Sequence, residues 1–182
     1  MNYIANNFNH EVKTHRDYTD VSFYEDNSKI TKVDIECIIP QNNIDTGYHD
    51  VYAPKKLDGY FGLYNSSLDK LLNTRPVSST YQLVAHHELF SEQAKILGQS
   101  DLPLDNITVK DQLYKDGLQA HRTIFFHDLE TTVSNNKDKV LSRIDIFNSC
   151  DMSWSFQVFS GAYRDLCRNT LVFGGQKAYH QQ

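Results

Sequence analysis

Val140 to Gly175 reads VLSRIDIFNSCDMSWSFQVFSGAYRDLCRNTLVFGG, and the fold is decided there. Val140 to Phe147 has the apolar content of a strand, and Asn148-Ser149-Cys150-Asp151 is hairpin-turn chemistry. Trp154, Phe156 and Val158 then alternate with Ser155 and Gln157, the period of two that marks a strand with one buried side. From Ser160 the spacing of Tyr163, Leu166, Cys167, Thr170 and Leu171 predicts a helix, capped by Ser160 and ended by Gly174-Gly175. Immediately upstream, Ile107 to Tyr114 and Arg122 to Leu129 read as strands around Asp116-Gly117, and the polar run 134–139 as a turn. The sum is an α+β fold: an antiparallel meander covered on one face by helices, in β-β-β-α order through the C-terminal half.

Further out the signals are sparser. Residues 1–15, Asn-rich and polar, read as an N-terminal arm, and 16–182 as a single α+β domain. Val33, Ile35, Cys37 and Ile39 alternate with polar neighbours until Pro40, which predicts a strand over 29–39. Asp58-Gly59 predicts a hairpin over 50–64. From His86, the three- and four-residue spacing of Leu89, Phe90, Ala94 and Leu97 predicts a helix, with Gly98 as a left-handed cap.

The 182 residues suffice for one domain with a sizeable core, since 40% are hydrophobic and 12% aromatic. No apolar run has the length of a spanning helix and the N-terminus lacks a signal-peptide layout, so a soluble, cytoplasmic protein is expected. Cys37, Cys150 and Cys167 form no C-x-x-C pair, which argues against a disulfide framework or a cysteine zinc site. The net charge of −5 excludes a global basic field, so any anion-binding surface must be local.

Arg164 and Arg168, four apart on the predicted helix, would project their guanidinium groups together and straddle a phosphate backbone. The alternative is that they pair with Asp165, Asp145 or Asp151. Arg122, Arg143 and Lys177 extend the basic set, and aromatic rings interleaved with such residues compose single-strand binding grooves. Trp154 and Phe156 are expected in the core, whereas Phe147 and Phe159, on the opposite parity, and Tyr163 are the candidate stacking rings.

Metal and nucleophile chemistry finds less support. Adjacent His86, His87 and Glu88 diverge around a helix and cannot converge on one ion, and His127-Asp128 on a strand would face opposite sides. His121 and His127, six apart, share a strand face. G-x-S-x-G, P-loop and G-x-G-x-x-G motifs are absent, and Cys167 sits on an apolar stripe. No catalytic residue, metal site or cofactor is therefore expected.

The segment from Ile144 to Gly174 resembles a family of uncharacterised phage, prophage and plasmid proteins that carry domain of unknown function number 932. The matching positions are Asn148, Ser149, Asp151, Gly161, Arg164, Cys167, Asn169, Leu171 and Val172, with Val77-Ser78-Ser79-Thr80-Tyr81 as a softer match upstream. Met152 and Thr170 stand where the family has Gly. The resemblance implies a mobile-element context and a chain that is short for the family. The order of strands and helix is also similar to that of phage single-strand annealing proteins, a topological likeness only.

These readings make the leading expectation a non-catalytic phage or plasmid accessory protein that binds single-stranded DNA, as a homo-oligomer promoting annealing or recombination. Arg122, Arg143, Arg164 and Arg168, with Phe147, Phe159 and Tyr163, would form its site. The alternatives are a counter-defence module that engages a host protein, and a metal-dependent nucleic-acid enzyme built from His121, His127, Asp128 and Asp145. No membrane partner is expected.

Overall fold

The structure, a computed structural model, describes residues 10–41, 51–72, 74–133, 138–164 and 171–181. It is dominated by antiparallel sheet. The larger sheet has six strands in the order β1 (His10–His15), β6 (Ile107–Tyr114), β7 (Gln119–Val133), β8 (Asp138–Ser149), β9 (Phe156–Arg164) and β10 (Leu171–Gln181). The smaller pairs β2 (Ile30–Gln41) with β3 (Val51–Asn65), and β3 with the two-residue strands β4 (Lys70–Leu71) and β5 (Val77–Ser78). Two helices are described, α1 (Ser22–Asn27) and α2 (His86–Gly98).

Strand alternation assigns each residue of the meander to a face. Ile107, Val109, Asp111 and Leu113 of β6 lie opposite Phe126, Ile124, Arg122 and Ala120 of β7, and all eight are buried. The helices pack on this inner face. Phe23 and Tyr24 of α1 and Phe90 of α2 cluster with Leu113, Ala120 and Ile146, while Leu97 of α2 joins Ile107, Val109, Ile124 and Phe126. A third cluster ties the sheets together: Ile30, Leu63, Leu72 and Val77 against Leu118 and Cys150.

Several expectations need correction. The helix foreseen from Ser160 is instead strand as far as Arg164, hydrogen-bonded to β8 on one side and β10 on the other. The β-β-β-α order therefore gives way to a longer meander, and Leu166, Cys167 and Thr170 lie outside the described residues. Residues 51–65 form one strand, not a hairpin, and pair with β2. Strand β2 runs on through Pro40, in register with Tyr52, which is tolerated because β2 lies at the edge of its sheet. Gly98 is the last helical residue, and the cap is Gln99 at φ −94°. Residues 10–15 of the expected arm are strand β1, whose partner is β6.

The turn after β8 is built on a non-glycine residue with positive φ. Met152 sits at φ +59°, in the left-handed region that costs an L side chain about 1–2 kcal/mol, and its side chain is exposed. Met152→Gly is therefore expected to raise stability by about 0.5–1 kcal/mol, part of the relief being offset by glycine's larger unfolded-state entropy. An unchanged or lower urea midpoint would contradict this.

Candidate nucleic-acid interface

Four of the seven residues singled out from sequence share the outer face of the large sheet. Arg143 and Phe147 project from β8, Phe159 and Tyr163 from β9, and register sets Phe125 opposite Arg143, His121 opposite Phe147 and Asp145 opposite Phe159. Alternation forces this grouping, because every one of these positions has the parity opposite to Ile144, Ile146 and Val158, which pack on the helices' side.

The rings form a connected layer. His121 and Phe147 stack at 4.1 Å with their planes 9° apart, and Phe147 meets Phe159 edge-on at 5.8 Å and Trp154 at 5.7 Å. Trp154 in turn meets Tyr114 at 5.8 Å, and Tyr114 stacks on His10 of β1. Trp154 thus joins the outer layer and not the core; Phe156 packs against the inner cluster as expected. A second group sets Phe125 edge-on to Tyr163 at 5.1 Å. Lys110 stands 5.1 Å over the Phe125 ring, and the Arg143 guanidinium lies 6.0 Å from both Phe125 and Tyr163. Phe147, Phe159 and Tyr163 are half-buried, so part of each ring is open to solvent, and Lys110 is exposed.

One carboxylate organises the polar floor between the rings. Asp145 accepts from Arg143 Nε at 2.6 Å, from His121 Nε2 at 2.9 Å and from Thr123 Oγ1 at 2.9 Å. Burial alone would raise its pKa, yet the bond and charge of His121 and the charge of Arg143 hold it below the ordinary carboxylate value. Asp145 therefore stays ionised and offsets the Arg143 charge.

The other three predicted residues are placed elsewhere or not at all. Arg122 faces the interior, with no exposed surface, and the reason is its partner: it donates Nε and Nη2 to the two oxygens of the equally buried Asp111 at 2.8 and 2.9 Å. Its remaining N–H groups reach the carbonyls of Tyr18 at 3.1 Å and Asp20 at 2.6 Å, and its plane lies over Phe90 and Tyr24. Tyr24 donates its hydroxyl to Asp111 at 2.7 Å, and His15 contributes Nε2 at 2.8 Å. Arg122 is therefore an internal strut and cannot touch a ligand on the outer face. Arg164 ends β9, in backbone register with Val140 and Leu171, and Arg168 lies outside the described residues. The backbone of Lys177 is in register with Phe159.

A buried trio, Cys150, His86 and Asn148, superficially suggests a thiol nucleophile with base and orienter, and sequence reasoning did not assemble it. The chemistry excludes that role. His86 Nε2 donates to the Gly117 carbonyl at 2.8 Å and Nδ1 accepts from Asn148 at 2.9 Å, which fixes the tautomer with no free lone pair for the thiol at 3.5 Å. Burial pushes the thiol up to about 12 and His86 down to about 4, so both are neutral at physiological pH. The trio seals the junction between α2 and the meander. Among the described residues no group of three potential ligands could hold a metal ion, and His127 and Asp128 bond separately to Thr108 and Asn106. No described helix is long and apolar enough to cross a membrane.

Sequence comparison assigns the chain a family. It belongs to the family described as Domain of unknown function (DUF932), whose model matches residues 74–182, the segment that contributes β5 through β10 and α2. No curated protein and no solved structure matches it at a significant level.

Proposed function

We propose that the outer face of the six-stranded sheet is a stacking platform for single-stranded nucleic acid, in an accessory protein of a phage or plasmid. The observation that carries it is the gathering of Phe147, Phe159 and Tyr163 with Arg143 and Lys110 on one face, the three rings half-buried and the two cations beside Phe125. Every base has a π-face, so such a layer takes bases of any identity, and the exposed Lys110 beside the rings can follow the backbone. Role and context extend the family's mobile-element likeness, with annealing by an oligomer as the activity and with no catalytic residue, metal or cofactor required.

Because Arg143 is matched by Asp145 and the whole chain carries −5, stacking and not phosphate neutralisation supplies the affinity. Fluorescence anisotropy with a labelled 30-mer should accordingly show a shallow salt dependence, with a slope of log K against log salt no steeper than about −2. Phe147→Ala or Phe159→Ala should each weaken binding about tenfold, within the usual worth of one stacked base. Absence of binding at low salt, or binding indifferent to both substitutions, would sink the proposal.

A second reading, a module that engages a host protein or another copy of the chain, draws on the β2–β3 ribbon. There Ile38 is 71% and Tyr52 63% exposed, on a stretch of the ribbon that neither β4 nor β5 reaches, since those pair only with residues 60–65 of β3. Loss of a stoichiometric complex in an Ile38→Lys protein, with oligonucleotide affinity retained, would favour it.

A further inference from the structure

Arg143 is held in a way that a cation following the phosphate backbone would not need. Its Nε is committed to Asp145, its guanidinium is bordered by the Phe125 and Tyr163 rings, and its side chain is only 11% exposed. Among the described residues nothing accepts from Nη1 or Nη2. The plane is thus pinned at Nε while the N–H groups of Nη1 and Nη2 remain for something else.

What lies beside it is a position without a side chain. Gly161 is the residue directly across from Arg143 on β9, midway between Phe159 and Tyr163 on the same face. Those two rings are four residues apart, about 13 Å along the strand, and the position between them has no side chain. A glycine inside a strand commonly marks where a ligand comes close to the backbone. One nucleobase lying over Gly161 would have a ring on either flank and its edge against the Arg143 fork.

Resting on the platform reading, we propose that this notch reads guanine, with Arg143 donating to the O6 and N7 acceptors. Two features favour a neutral base edge over a phosphate. The Arg143 charge is already balanced by Asp145, whose carboxylate would repel a phosphate oxygen arriving at the same place. Arg143 also sits among rings that stack on bases. Guanine offers a parallel pair of acceptors that a guanidinium fork meets bidentately, and thymine offers no such pair on its major-groove edge.

The test uses the full chain and 20-mers that differ at one position: all-thymine, and the same strand with a central guanine, cytosine or 7-deazaguanine. Guanine should improve affinity about tenfold over thymine, and 7-deazaguanine, which has a C–H in place of N7, should lose most of that gain. Arg143→Lys, which retains a cation for Asp145 but not the guanidinium fork, should abolish the preference, read as the ratio of guanine to thymine affinity within the variant. Equal affinity for guanine and 7-deazaguanine in the unmodified protein, or a preference for cytosine, overturns the guanine assignment while leaving the platform standing. Failure of every strand to bind overturns both.

Discussion

An Asp111→Ala protein is expected to lose about 3–5 kcal/mol of stability, because the substitution leaves the Arg122 guanidinium charged, buried and without its counter-ion. That is a large share of the roughly 5–15 kcal/mol by which a domain is stable. Arg122→Met should cost less. The carboxylate it leaves behind still receives the Tyr24 hydroxyl and His15, and can take up a proton, whereas a guanidinium cannot give one away. The double replacement Asp111→Leu with Arg122→Met should recover most of the single-variant loss, since apolar side chains of similar volume often substitute for a buried pair at little cost. Urea unfolding of the three proteins measures all of this. Equal losses in both single variants, with no recovery in the double, would show that the pair is not energetically coupled.

The second large effect is on acid stability. His86 takes up a proton near pH 6.5 in the unfolded chain, but burial holds its native value at about 4. Between these values the unfolded state binds more protons, so stability is lost as pH is lowered, by about 3 kcal/mol across that window, and is independent of His86 above it. The lowered carboxylates act later. Asp20, held down chiefly by its bond from Lys13, and Asp145 contribute stability that is lost only as pH falls below the ordinary Asp value of 3.8. The two contributions are therefore separable by pH. His86→Gln, which keeps a donor for the Gly117 carbonyl, should flatten the profile between pH 6.5 and 4. A parent protein whose urea midpoint is constant from pH 7 to 4.5 would contradict the assignment.

Much of this architecture was legible in the chain because period-two alternation is unambiguous where one face is apolar. Val33 to Ile39, Ile107 to Tyr114 and Val140 to Phe147 all proved to be strands, and Leu89 to Leu97 a helix. The misreading at Ser160 has a simple origin. Of the residues whose spacing predicted the helix, only Tyr163 lies in β9 and Leu171 already belongs to β10, so Ser160 to Arg164 itself carried almost none of that spacing. Gly161 was the discriminating residue, being a poor helix former in mid-segment.

The site was half legible for a related reason. Parity alone separated Phe147 and Phe159 from the core and placed them beside Arg143. The same parity, followed along Ala120, Arg122, Ile124 and Phe126, would have sent Arg122 inward, and Asp111 between Val109 and Leu113 was its signal partner. What no local pattern carries is the pairing of Arg122 with Tyr18 and Asp20, about a hundred positions earlier, or of His86 with Gly117 and Asn148.

Tyr18, Asp20, Tyr24 and His15 all precede residue 74, where the match to the family begins, as do Ile30, Leu63 and Leu72, which close over Leu118 and Cys150. The matched stretch of this chain therefore lacks one wall of its own interior. Cut away from residues 15–72, it would leave the Asp111–Arg122 strut open to water on the side that Tyr18, Asp20 and Tyr24 now close, and it is not expected to fold alone.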